Sequence, residues 1–250
     1  MLDHLTLAVA LFSFGLSFLF ALGGVGSALV LIPTLTWLGI PFAQARPTAL
    51  FVNTVSMLGA TVSNIREKRL DIRLGVPIIA ASVLLAPVGA WVSHRVPTRA
   101  VLFAFIGFLA FSGSMMLFFK GSNYADQYRE DRPVVGPMLV GAVAGFFSGL
   151  LGVGGGGLIS PLMIVQGFNP KRVAAVTAFA VPFSSFSAFL AYAALGSVSL
   201  HLLAIAGLAA WVGGYMGTRV MQQNMKASSV KKCLGMVLLL LAVKLSMKLW

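Results

Sequence analysis

Gly145-Phe146-Phe147-Ser148-Gly149-Leu150-Leu151-Gly152-Val153-Gly154-Gly155-Gly156-Gly157 reads as an apolar helix running into a glycine break. Glycine costs about 1 kcal/mol relative to alanine inside a helix, so a run of them is expected to unwind or bend it. A fainter copy, Gly23-Gly24-Val25-Gly26, stands near the start of the chain. Sliding the sequence against itself by 128 residues aligns Phe18, Leu22, Gly24, Val25, Gly26, Pro33 and Gly39 with identical residues Phe146, Leu150, Gly152, Val153, Gly154, Pro161 and Gly167. One residue further on, Pro41 and Thr48 meet Pro170 and Thr177, and later Gly89 meets Gly217 and Val92 meets Val220. Glycines and prolines matching in order over this distance point to a duplication.

The surroundings of the breaks say which solvent the chain is built for. Of 250 residues, 58% are hydrophobic and 10% charged, with a mean hydropathy of +0.94. A soluble domain carries roughly 25% charge. Charged residues are absent between Leu5 and Ala45, Ala100 and Phe119, Pro133 and Pro170, and Val173 and Thr218. A membrane-spanning helix needs about 20 mostly apolar residues, so the chain is expected to be an all-α integral membrane protein with the lipid bilayer as its partner. The net charge of +12 does not indicate nucleic acid. Its basic residues sit in short clusters at the ends of apolar runs, where topology signals lie. The single cysteine, Cys233, excludes an internal disulfide and any multi-cysteine metal site. With Asp3 and His4 in place of a basic leader, and an apolar run too long for one, a cleaved signal peptide is not expected.

The expected organisation is a first repeat over residues 1–119, a polar linker over 120–135, and a second repeat over 136–250, together one transmembrane domain. Each repeat opens with a glycine-broken segment, about 5–39 and 136–167, followed by three continuous runs. These lie at about 45–65, 72–94 and 98–119 in the first repeat, and 173–195, 198–220 and 228–249 in the second. If all eight segments crossed fully, Lys and Arg would divide nine to nine between the two sides. If both opening segments are re-entrant, the repeats become inverted and thirteen of the eighteen gather on one side. That asymmetry is what the positive-inside rule requires, so two inverted four-segment repeats are expected. Residues 66–70 should then face the cytoplasm and 196–199 the periplasm.

A helix resuming after a break starts with free N–H groups and a positive dipole end, a natural seat for an anion. The candidate substrate-binding residues are Gly23, Gly24, Gly26 and Ser27 at the first break, and Gly152, Gly154, Gly155, Gly156 and Ser160 at the second. Asn53, Thr54 and Ser56 from the second segment join them, with Thr177, Ser184 and Ser185 from its counterpart. Glycines also serve close helix packing, the expected role of Gly141, Gly145 and Gly149 at four-residue spacing. Gly152, Gly154 and Gly157 match a dinucleotide-binding pattern only by spelling, since that motif needs an acidic residue about 20 positions later and none follows Asp131.

At these residues, from Gly145 to Gly156 followed by Pro161, with the degenerate copy ending at Pro33, the chain resembles the TauE/SafE family of sulfite exporters and related anion permeases. The resemblance covers nearly the whole chain in both halves. It implies a multi-pass transporter of a small anion such as sulfite or an organosulfonate in the cell inner membrane, working by alternating access; uptake by the same fold is the alternative. The first copy departs from the pattern, with Ser27, Ala28 and Leu29 where the second has glycines. The six acids all lie at segment ends or in the linker. A carboxylate-coupled pump, which places acids at membrane depth, is therefore not expected, and passive or weakly coupled export is. His4, His94 and His201 are far apart and without acidic partners at ligand spacing, so neither an enzyme nor a metal site is expected. No cofactor is implied, and a homo-oligomer is left open. Arg46, at the head of the second segment, could draw anions, but it is expected to snorkel to the surface.

Overall fold

The computed structural model describes residues 4–21, 24–118, 130–194, 199–224 and 227–249. Among them the chain is all helix. The ten helices are α1 (His4–Ala21), α2 (Ala28–Trp37), α3 (Phe42–Arg66), α4 (Ile72–Arg95), α5 (Thr98–Phe118), α6 (Val135–Leu151), α7 (Gly156–Val165), α8 (Pro170–Ala193), α9 (Leu200–Asn224) and α10 (Ala227–Leu249). Ten replace the expected eight segments because each glycine break divides its opening segment in two. The bulk of the linker and residues 196–198 lie outside the described residues.

Local chemistry fixes the ends. Asp71 caps α4, its carboxylate accepting from the Leu74 amide, and Asn169 caps α8 ahead of Pro170. The short helices α2 and α7 end alike: Ile40 N–H donates to the Leu35 carbonyl and Phe168 N–H to Met163, across Gly39 and Gly167 in the left-handed region. This closure satisfies carbonyls the helix itself leaves open.

Packing follows one pattern twice. α6 lies along α4 as α1 lies along α9; α9 also packs on α3 as α4 does on α8. The pairs α3–α8 and α5–α10 are their own counterparts. Added β-carbons at Gly141, Gly145 and Gly149 would strike the backbone at Ile78, Ser82 and Ala86. The order of those contacts means α4 and α6 run the same way. Gly213 and Gly217 lie likewise against Phe14 and Phe18, so α1 and α9 are also parallel.

The α6–α7 pair returns to the end of the bundle from which it starts. Gln166, just after α7, donates through Nε2 to the Gly136 carbonyl in the first turn of α6 (3.4 Å). Arg132 before α6 and Arg172 at the start of α8 both bind Oδ2 of Asp71, at 3.1 and 2.5 Å. Burial alone would raise the Asp71 carboxyl, but these hydrogen bonds and the Leu74 amide outweigh it and hold the group below its ordinary value. A depressed carboxylate contributes stability above its unfolded pKa, about 3.9, and loses it as pH falls through the folded value. Asp71→Asn is thus expected to lower the melting temperature in detergent at neutral pH. The gap from the native protein should close as pH falls below about 4; a gap independent of pH would mean the ion pairs contribute nothing.

Lipid suits the exterior better than water. Leu84 is 71% and Leu208 72% exposed, with Leu139, Leu240 and Met247 also on the outer surface. Four helices, Phe42–Arg66, Ile72–Arg95, Lys171–Ala193 and Leu200–Val220, are long and apolar enough to cross a membrane. The short α2 and α7 are enclosed instead, with Ala28 to Leu35 and Gly156 to Pro161 all buried.

Candidate functional site

The two breaks have the same backbone. Gly24 and Gly26 take φ of +65° and +86°, and Gly152 and Gly154 take +73° and +76°. Left-handed backbone of this kind costs other L-residues roughly 1–2 kcal/mol each, which accounts for glycine at all four places. Each turn delivers the chain into a buried helix start. Neither Ser27, ahead of α2, nor Gly155, ahead of α7, provides a side-chain cap. The first amides bonded back are Val30 and Leu31 to the Ser27 carbonyl, and Leu158 and Ile159 to Gly155. The leading N–H groups of a helix have no intrahelical acceptor. Here two such sets are buried side by side.

The turns ahead of them meet at one side chain. Asn53 of α3 is fully buried, and its Nδ2 donates to Ser185 Oγ of α8 at 2.9 Å. A β-carbon at Gly26 would collide with Asn53 Oδ1; one at Gly154 would collide with Asn53 Nδ2 and lie 3.0 Å from Ser185 Oγ. The carboxamide is therefore held between the two breaks. Its Oδ1 has no hydrogen-bond partner. The first break also packs on the second half: a β-carbon at Gly156, where α7 starts, would strike the Val25 carbonyl, and one at Gly24 would strike the Ala174 carbonyl of α8, 2.7 Å away.

The structure thus brings Gly26, Gly154 and Ser185 onto Asn53, and Gly156 against Gly24 and Val25, while Gly152 faces the Arg46 stem and Gly155 faces Ala144 of α6. Ser27 Oγ is bonded to Ser17 Oγ at 3.2 Å. Ser160 donates to Thr177 Oγ1 at 3.2 Å, further along α7. Ser56, three residues along α3 from Asn53, faces Gly214 of α9, and its Oγ has no partner. Thr54 and Ser184 are spent on their own helices, bonding the Leu50 and Val181 carbonyls. Thr54 lines an apolar groove with Phe51, Phe183 and Phe186 rather than the breaks. Gly23 lies outside the described residues.

One expectation is overturned. Arg46 does not snorkel to the surface: it is 8% exposed, with its stem against Gly152 and its guanidinium between the Phe42 and Tyr192 rings, 4.9 and 4.6 Å from their centroids. Its Nη1 donates to Ser93 Oγ at 2.6 Å and reaches the Leu150 carbonyl at 3.5 Å, while Nε is buried without a partner. Order along the chain carries no sign of this, since Ser93, Leu150 and Tyr192 come from three other helices.

Among the described residues, no cluster of three or more His, Cys, Asp or Glu could hold a metal ion. What the site offers is amide and hydroxyl donors around buried helix starts, with the stem of a cation against the second break.

The family model described as Sulfite exporter TauE/SafE matches residues 9–245. Probable membrane transporter protein YunE of Bacillus subtilis is 27% identical over 89% of this chain and 90% of its own length. A probable membrane transporter protein of Methanocaldococcus jannaschii is 21% identical over 88% of this chain and 90% of its own. Sulfite exporter TauE/SafE family protein 3 of Arabidopsis thaliana is 33% identical over 42% of this chain and 23% of its own length. No solved structure matches the chain.

Proposed function

The chain belongs to the sulfite exporter TauE/SafE family and is a multi-pass membrane protein of a transporter kind; from that premise we propose that it carries a small sulfur oxyanion, sulfite or an organosulfonate, outward across the cell inner membrane. The observation that carries this reading is Asn53, buried between two glycine breaks whose helix starts leave their amides uncapped. Buried N–H groups at a helix start favour an anion. Asn53 and Ser185 add donors that can turn toward it.

We further propose that residues 1–119 and 136–250 are inverted repeats about the 120–135 linker, and that transport proceeds by alternating access around the paired breaks. Support comes from the matched packing of α1–α5 and α6–α10, and from the return of α6–α7 to its own end. On this reading the Asp71 end, with Arg69, Arg132 and Arg172, faces the cytoplasm. Single cysteines at Leu70 and Ser199, in a Cys233→Ala background, are expected to label from opposite sides. Labelling from one side would contradict inversion.

A 100 mV inside-negative potential is worth about 2.3 kcal/mol per charge. For a singly charged sulfonate such as methanesulfonate in proteoliposomes, it should sustain an outward gradient of about fiftyfold. Flux that ignores the potential would contradict electrogenic export; no flux of sulfite or methanesulfonate would contradict the function itself.

A further inference from the structure

We propose that Arg46 is an oxyanion-binding residue of the transport path, an outer station from which the anion passes along Gly152 and Gly154 to Asn53. This rests on the transport reading above and deepens it. A buried cation needs a counter-charge or a full set of hydrogen bonds, and Arg46 has neither. Ion pairs join Arg69 to Glu67, and Arg132 and Arg172 to Asp71. They lie at the far end of α4 from Ser93, about 32 Å away at 1.5 Å per residue. Two aromatic faces and one short hydroxyl bond hold the guanidinium, and its Nε–H has no acceptor.

Capping the end of α6 does not explain the charge. Tyr192 Oη already donates to the Gly149 carbonyl at 2.8 Å, and Gly152 N–H closes on Ser148. The Arg46 contact to Leu150 is the long one, at 3.5 Å. A neutral phenol serves that helix end. The cation is left for something that arrives.

Its position shows what that is. The Arg46 stem presses on Gly152, so a β-carbon there would meet the Arg46 Cβ at 2.9 Å and its Cγ and Cδ at 3.0 Å. Two residues on, Gly154 touches Asn53. Cation, break and carboxamide thus form one continuous line. A guanidinium fork matches two oxygens on one centre, as sulfite and sulfonates present and chloride does not. The proposed ligand class is therefore a small oxyanion rather than a halide.

The test is equilibrium binding of sulfite to purified protein, with chloride as competitor, for the native protein, Arg46→Met, Arg46→Lys and Gly154→Ala. Arg46→Met is expected to weaken sulfite binding at least about tenfold while its ligand-free melting temperature stays level or rises, because an apolar isostere relieves a buried charge. Arg46→Lys keeps the charge without the fork, so it should bind sulfite more weakly and admit chloride as a stronger competitor. If both Arg46 variants bind sulfite as the native protein does while Gly154→Ala does not, Arg46 is no binding residue and the transport reading stands. Should Arg46→Met not fold, Arg46→Lys decides alone: unchanged sulfite affinity and chloride competition overturn the proposal. A native protein that binds neither sulfite nor methanesulfonate overturns both.

Discussion

Gly149→Ala is expected to be the most damaging addition of a single methyl group in this protein. The new β-carbon would drive into the Ala86 carbonyl of α4, with the Ala86 carbonyl carbon and the Ala90 amide nitrogen each 2.8 Å away. All of these are backbone atoms of a helix packed along its length on α6, so no side chain can turn aside. Overpacking a close-fitted interface costs typically about 1–3 kcal/mol and occasionally more. Because α4 and α6 must separate, the expected cost is about 3 kcal/mol or above, read as a lower melting temperature and a smaller yield of monodisperse protein in detergent. Gly107→Ala in α5 is the control, since nothing lies within 4 Å of its added carbon. There the better helix propensity of alanine should leave stability level or slightly raised. Equal melting temperatures for the two variants would show that the α4–α6 contact is not as close as described.

Gly154→Ala is expected to do the reverse, sparing the fold and stopping transport. Its added carbon meets the Asn53 carboxamide and the Ser185 hydroxyl, which are side-chain ends able to swing away. The left-handed φ of +76° adds roughly 1–2 kcal/mol of backbone strain, which an intact bundle can bear. But the Asn53–Ser185 bond is lost and the carboxamide leaves its seat between the breaks. Sulfite flux should fall at least about tenfold, the equivalent of about 1.4 kcal/mol, with membrane insertion retained. Flux at the native level in well-folded Gly154→Ala protein would remove the second break from the site.

These two glycines lie five residues apart in one apolar run, and the sequence distinguishes them only in part. Four-residue spacing marked Gly141, Gly145 and Gly149 for packing, and clustering marked Gly152 to Gly157 for a break. Both roles follow from local geometry, which sequence carries. Helix limits were legible for the same reason. Asp71 and Arg95 bracket an apolar run expected at 72–94, and α4 spans Ile72–Arg95. The facing of α3 was not legible. It is buried on most sides, with Thr48 to Leu50 and Val52 to Thr54 all enclosed, so no polar stripe separates Asn53, which meets both breaks, from Thr54, which turns to an apolar groove. The burial of Arg46 escaped for a further reason. Snorkelling is the usual fate of an arginine near a helix end, and only the arrival of Ser93, Leu150 and Tyr192 from elsewhere in the chain keeps it inside.

The central claim is that the two halves build one anion site around Asn53, rather than one site each or none. Gly26→Ala and Gly154→Ala press on the same carboxamide from opposite halves. Sulfite binding to the purified native protein and to these two variants, measured at equilibrium, tests the claim most directly. Saturable binding to the native protein that is lost in either variant is the predicted result; binding that survives intact in one of them would contradict a shared site.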